Sequence, residues 1–501
     1  MDCFYRCDLL KHDISAFILI KGVKTRQNIQ PYMFGNFHNT LKKRFIGSHE
    51  FYREVAVIVI PMIIQNTVTN IVSMLDNLMV GAIDTNPMAA VSIINYMLFV
   101  FNLCVFGGLS GPGIFATQYA GAHDDDGLRH CFRFKLIIMM LMTALATAIL
   151  LIFEKPLIGC FLKGEGSPED IAKTFEISRQ YLQIMLFGLL PFAFAMMYSS
   201  ALRELGETRV PMIASLTAIF VNLIFNYLLI FGKFGFPRLD AAGAAIATVL
   251  SRVVEMAIIV IYTHVKHTKY RFIEGAYRSL YIPKKLFMDI CVRGTPLLFN
   301  EMCWSFGMTF LIQCYSLRGI HVIAACNIAV TFANIFNCAF FSMGVATGVV
   351  IGHELGSNKL DTVKETAWKL IALSVAISIV ISIPICVLAP YIPQLYKTEE
   401  TVRLLATRMM WINAVLSPLL AIMHSSYFTV RAGGKSFLTF MMDSGYTWLV
   451  VVPVTWCIGN LTSLPILPFY FISRAADFSK FLVSIILVKS GIWIRNIVSE
   501  K

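Results

Sequence analysis

Residues 54–82 read EVAVIVIPMIIQNTVTNIVSMLDNLMVGA. At 1.5 Å per residue a helix of this length crosses the ~30 Å hydrocarbon core of a bilayer. Between its ends the stretch holds one ionisable side chain, Asp76. An apolar run of this length satisfies its own backbone in lipid only as a helix. Eleven further stretches read the same way: 89–115, 132–153, 181–202, 210–232, 242–264, 286–316, 322–351, 366–392, 406–428, 437–458 and 465–488. A transmembrane β-barrel would instead alternate apolar and polar residues in segments of about ten. The expected fold class is all-α integral membrane, with twelve transmembrane helices.

Composition agrees. Over 501 residues, 57% are hydrophobic and only 14% charged, and mean hydropathy is +0.69. A soluble domain carries roughly 25% charge, so the solvent of this chain is lipid. The net charge of +12 does not call for nucleic acid, because the basic residues form no single patch. They lie between the apolar spans, as loops facing an anionic leaflet do. With both termini on one side, 29 Lys and Arg fall in the segments and span ends on that side and 10 in those on the other. The expectation is a multi-pass protein of the cell membrane, with both termini cytoplasmic. The twelve cysteines show no zinc or disulfide spacing, and most sit in apolar runs. No cofactor is called for, and a monomer is expected.

The first span has a copy. At an offset of 235, Pro61 matches Pro296, Gly113 matches Gly348 and Gly121 matches Gly356. At an offset of 228, Arg203 and Gly206 match Arg431 and Gly434. The twelve spans therefore form two six-helix halves in a 6+6 pseudo-symmetric arrangement. Both halves start on the same side, so the repeats are parallel, with an axis along the membrane normal. The expected organisation is a basic, flexible tail over 1–50, with Met33 a second candidate start. An N-lobe over 51–264, a cytoplasmic linker over 265–285, a C-lobe over 286–490 and a C-terminal tail over 491–501 follow.

Ionisable groups inside spans are costly and mark function by default. Asp76 lies toward the outer end of span 1, Asn222 and Asn226 one turn apart on span 5, and Thr248 early in span 6. All four fall roughly 6–14 Å below the outer boundary. This carboxylate, two amides and a hydroxyl form a candidate cation-coupling site for H⁺ or for Na⁺, a hard cation suited to oxygen ligands. An ordinary interhelical hydrogen-bond cluster is the structural alternative. Glu301 falls near mid-membrane on span 7, with Trp304 one turn on and Gln313 further along. A buried acid beside an indole suits a cationic aromatic molecule, or serves as a second protonation site. Asp443 on span 11 joins this second candidate group. Arg252 with Glu255 and Arg474 with Asp477, each three apart, read as structural pairs, and Lys480 as a side chain snorkelling to the interface.

Two enzyme-like motifs fail on context. Gly108-Leu-Ser110-Gly111 resembles an intramembrane protease motif but has no supported His base. His353-Glu354 lacks the second His of a zinc protease, and no Walker A motif for ATP occurs.

Over roughly residues 50–490 the chain resembles the MATE family of multidrug and toxic-compound extrusion transporters. The likeness rests on Pro61, Gln65 and Asp76-Asn-Leu-Met-Val-Gly81; on Gln118-Tyr-Ala-Gly121; on Arg203-Glu-Leu-Gly206-Glu-Thr-Arg-Val-Pro211; on Asn222-x3-Asn226; and on Gly294-x-Pro296 with Glu301. The resemblance implies an antiporter, not an enzyme, exporting organic cations or amphiphiles in exchange for H⁺ or Na⁺. It also implies an N-lobe cation site at Asp76, Asn222, Asn226 and Thr248. Many members carry Asp where this chain has Asn226, so one carboxylate is missing here. Some use an acid on span 10, where this chain has none, so a C-lobe site rests on Glu301 and Asp443. A lipid-linked oligosaccharide flippase of the same superfamily is the nearest alternative, and a membrane-embedded enzyme a more distant one.

Overall fold

The structure, a computed structural model, describes residues 45–81, 85–162, 167–396 and 398–499. The basic tail expected over 1–50, Met33 included, lies outside the described residues as far as 44. Residues 48–501 form one compact unit, and every regular element described in it is helical.

Among the described residues, twelve helical rods follow in order: α1 (His49–Gly81), α2 (Thr85–Gly121), α3 (Asp125–Ile152, continued by Glu154–Phe161), α4 (Pro168–Glu204), α5 (Arg209–Phe231), α6 (Asp240–Val265), α7 (Lys284–Ser316), α8 (Ile320–Gly356), α9 (Val363–Leu388), α10 (Glu400–Ala432), α11 (Ser436–Leu461) and α12 (466–490). Each overlaps one expected span. Ten are long and apolar enough to cross a membrane. Of the other two, α12 is broken at Ser479, and α7 carries Asn300, Glu301, Ser305, Thr309 and Gln313 along its middle. Large apolar side chains such as Phe187, Val415 and Leu449 are exposed on the rods, which water would penalise and lipid does not.

Local chemistry sets the ends. The Asp124 side chain caps α3 by accepting from the Gly127 amide at 2.9 Å, and Ser167 caps α4 from the Asp170 amide at 3.1 Å. Gly232 closes α5 in the left-handed conformation, with φ of +62°. α11 departs from regularity: Met441–Gly445 and Thr447–Val451 are π-helical, which re-aims Asp443.

The halves meet along α1, α2, α7 and α8. Small residues allow the contact. A Cβ on Gly111 of α2 would stand 2.6 Å from the Cα of Gly294 on α7. Near the face where α1 begins, here the proximal face, Gly121 abuts the His353 backbone and Gly356 abuts the Gln118 carbonyl. The 235 offset carries Gly121 onto Gly356 and Gln118 onto His353, so the two contacts are one contact seen twice. Deeper in, Asn66 donates to Ser342 Oγ at 2.9 Å and Asn70 to Cys338 Sγ at 2.7 Å, joining α1 to α8.

Two connecting segments are docked. Arg133 of α3 donates to the carbonyls of Ala276, Gly275 and Tyr281 at 3.1, 3.0 and 3.1 Å, pinning the segment between α6 and α7. After Gly491, the segment expected as a tail folds beneath both halves. Trp493 is fully buried. Gln118 donates to the carbonyls of Ala432 (2.8 Å) and Arg495 (3.3 Å) and accepts from the Ile497 amide at 2.8 Å.

Candidate cation and substrate sites

Three helices bring the first group together. α1 supplies Asp76, α5 supplies Asn222 and Asn226 from one face, and α6 supplies Thr248. Asn226 Nδ2 donates to Asp76 Oδ1 at 2.8 Å and to Asn222 Oδ1 at 3.2 Å, and Asn222 Nδ2 reaches Thr248 Oγ1 at 3.3 Å. Turning the Asn222 amide over sets its nitrogen 3.0 Å from both Asp76 oxygens. All four residues singled out in the sequence are thus in one hydrogen-bonded cluster. Both amides are buried. The Asn226 Oδ1 is also buried and has no hydrogen-bond partner among the described residues. An oxygen in that condition costs free energy unless something positive or protic meets it.

The surroundings hold charge at a distance. Arg252 of α6 faces Asp76 electrostatically, but its guanidinium pairs with Glu255 at 3.1 Å and lies 4.9 Å over the Phe192 ring. Tyr181 of α4 also faces the carboxylate. Chemically, the cluster can take a proton on Asp76 or a small hard cation among its carboxylate, amide and hydroxyl oxygens. Among the described residues no group of three or more His, Cys, Asp or Glu could hold a metal, so a Na⁺ here would rely on the one carboxylate, Asp76, together with amide and hydroxyl oxygens.

The second group divides. Glu301 is half-buried on α7, in electrostatic reach of Arg431 and Asp443 and beside Asn300. Trp304 shares its stripe and is 37% exposed. Gln313, twelve residues on, lies about a third of a turn around the helix from Glu301 and is exposed. Asp443 lies on the other side of Glu301's neighbour: Asn300 donates to its Oδ2 at 3.0 Å and is itself bonded by Ser444 Oγ at 2.8 Å.

Lys480 is the correction. It does not snorkel. It is 1% exposed and reaches Asp477 at 2.9 Å, Asp443 at 3.2 Å and the Thr447 hydroxyl at 2.7 Å. Arg474 pairs with Asp477 at 3.7 Å and donates to Asn413 at 3.1 Å. Asp443 is therefore half of a buried ion pair. The break at Ser479 and the π-helical turns of α11 turn these groups toward each other. The missed signal was the i, i+3 spacing of Asp477 and Lys480, which matches the spacing already read for Arg474 and Asp477.

The chain matches the MatE family model twice, over residues 61–228 and 296–457. It is 25% identical over 439 residues to the Bacillus subtilis protein named "Probable multidrug resistance protein YoeA", covering 87% of this chain and 92% of that one. It is 22% identical over 462 residues to "Probable multidrug resistance protein NorM" of Thermotoga maritima, covering 92% and 97%. Its fold superimposes with a TM-score of 0.77 on an outward-facing multidrug resistance MATE family transporter of the MOP superfamily. That pair shares 19% identity over 87% of this chain and 96% of the other.

Proposed function

The chain belongs to the MatE family, a family of membrane transporters rather than enzymes, and on that premise we propose that it is a secondary active antiporter. In this reading it exports organic cations or amphiphilic drugs in exchange for H⁺ or Na⁺. The observation that carries the reading is the orphaned Oδ1 of Asn226 beside a carboxylate that its own amide already holds.

From an outward-open state, a cation arrives at Asp76. A proton on the carboxylate removes its charge and adds an O–H donor, which an amide oxygen of Asn226 or Asn222 can accept. A Na⁺ recruits the same oxygens. Either event rewrites the contacts that tie α1 to α5 and α6. Because α1 is also bonded to α8 through Asn66 and Asn70, a shift of α1 is felt across the seam between the halves. Coupling requires the cation and the cargo to favour different states. The driving force for each inward charge is about 2.3 kcal/mol per 100 mV. Cargo binds on the half-buried Glu301 and Trp304 stripe in the inward-open state. Asp443, neutralised by Lys480, orients Asn300 next to Glu301 and does not itself meet cargo.

The same reading places both termini in the cytoplasm, makes the cell membrane its location and the bilayer its partner, and treats the chain as a monomer with an N-lobe and a C-lobe. Ethidium efflux from energised cells tests it. Wild type should export dye and stop on addition of a protonophore or withdrawal of Na⁺, according to the coupling ion. Asp76→Asn, expressed and folded, should not export. Export that survives collapse of both gradients would refute antiport.

A further inference from the structure

Between the two halves lies a cavity of about 120 Å³. Its walls include Phe106, Phe341, Phe428, Arg203, Arg431 and the carboxylate of Glu204. The internal repeat runs through it: the 235 offset carries Phe106 onto Phe341, and the 228 offset carries Arg203 onto Arg431. The cavity sits on the pseudo-two-fold axis, with one arginine from each half.

Each arginine keeps one donor unused, although Arg431 also hydrogen-bonds Tyr427. Arg203 donates from Nη2 to Gln65 at 3.0 Å, but its Nε is buried with no hydrogen-bond partner among the described residues. Arg431 lies 5.2 Å over the Phe428 ring and 5.9 Å over Phe106, and its Nη1 is likewise buried and without such a partner. The carboxylate adjacent in sequence, Glu204, is held by Lys135 and by Ser200. Glu255 is in reach of Arg203 but pairs with Arg252. Glu301 is in reach of Arg431. Arg203, Arg431, Lys135 and Arg252 face Glu204, Glu255, Glu301 and Asp76, so charge balances here and the unused binding capacity is that of the buried Arg203 Nε and Arg431 Nη1 donors. A guanidinium presents a planar fork of donors that fits a carboxylate or phosphate, and low dielectric strengthens the bond. The three phenyl rings supply the apolar wall that an aromatic body stacks on. A dry cavity of roughly 150 Å³ holds a benzene ring, so at about 120 Å³ this space takes the acidic group, and because it is not enclosed the ring extends out of it along the phenyl wall.

We propose that this cavity is an anion site, taking the carboxylate or phosphate of a small aromatic or amphiphilic molecule on Arg203 and Arg431. It rests on the transporter reading above for its meaning as cargo recognition, and extends the cargo from cations to molecules bearing an acidic group. The site is distinct from Glu301, so a molecule with both charges can span the two.

Equilibrium dialysis of radiolabelled benzoate against the purified full-length protein in detergent tests this. Wild type should bind benzoate saturably. Arg203→Gln and Arg431→Gln should each weaken it about tenfold or more, while ethidium binding changes little in Arg203→Gln. Because an arginine variant can misfold, Val345→Glu provides a second test. It sets a carboxylate on the cavity wall, and should abolish benzoate binding in a protein that still elutes as a monodisperse peak. Displacement by phenyl phosphate extends the class to phosphates, and its failure confines the site to carboxylates. Absence of saturable benzoate binding in wild type, or equal binding in all three variants, overturns the proposal. A wild type that binds benzoate but moves no ethidium leaves the anion site standing and counts against cation export. The converse result counts against the anion site alone.

Discussion

The Asn226 side chain donates to the carboxylate of Asp76 across 2.8 Å, linking α5 to α1. The amide nitrogen holds the acid, while the amide oxygen is buried and has no hydrogen-bond partner among the described residues. Replacing Asn226 by Leu removes donor and acceptor together. Loss of a hydrogen bond to a charged group costs about 1.5–3 kcal/mol, equivalent to roughly ten- to hundredfold in a coupled equilibrium. Initial rates of uphill dye transport in Asn226→Leu proteoliposomes should fall by that order, and wild-type rates would show the contact to be dispensable.

Asn226→Asp makes the opposite change. Two carboxylates this close cannot both stay charged without a cation between them. The variant should therefore bind Na⁺ more tightly than wild type. A ligand held by the native state raises thermal stability, so the melting temperature of Asn226→Asp should rise in NaCl relative to choline chloride, and that of wild type should rise less. Identical melts in the two salts would count against a cation-binding geometry here.

At the proximal face, Gly356 lies against the Gln118 carbonyl with no room for a side chain. Gly356→Val forces the α2–α8 crossing apart, at an overpacking cost of about 1–3 kcal/mol. The closed proximal face should lose population, and a cysteine introduced at Thr117, on the buried seam, should react faster with a membrane-impermeant maleimide applied from that face. Unchanged labelling would mean that the crossing does not close this side.

Lys480 sits between Asp443 and Asp477, almost fully buried. Lys480→Met strands the Asp443 carboxylate, while Asp477 keeps Arg474, and breaking a buried pair costs about 3–5 kcal/mol. The melting temperature should drop sharply and recover when Asp443→Asn is added. A single variant as stable as wild type would show that the pairing contributes nothing to the fold.

Gln118 binds the segment after α12 through two backbone contacts, to Arg495 and Ile497. Gln118→Ala leaves the Ile497 amide unpaired in a buried place, at about 1–3 kcal/mol. Limited proteolysis should then release residues 492–501 faster than in wild type, and equal resistance would sink the claim that this bond anchors the segment.

The helices could be read from the chain because lipid imposes a simple demand: twenty or so apolar residues in a row, as in 54–82. The two-fold relation could be read because Pro61, Gly113 and Gly121 recur 235 residues later. The Asp76 cluster was legible since Asn222 and Asn226 share a helix face and depth with it. Lys480 was not, because its partner Asp443 is 37 residues away on a helix whose π-turns no apolar pattern announces. Arg203 and Arg431 were visible as a repeat, yet their meeting at one cavity depends on how the halves close, which depends on side-chain packing at Gly111, Gly121, Gly294 and Gly356. The segment after Gly491 was read as a tail because, although it carries Ile492, Trp493 and Ile494, it is too short to span the membrane and gives no sign of the buried Gln118 that receives it.

Uphill transport of ethidium in proteoliposomes under an imposed proton or Na⁺ gradient, wild type beside Asp76→Asn, tests the central claim most directly. Wild type should accumulate dye against its gradient, and Asp76→Asn should at most let it equilibrate. An Asp76→Asn protein that accumulates dye at the wild-type rate would contradict the assignment of Asp76 as the coupling residue.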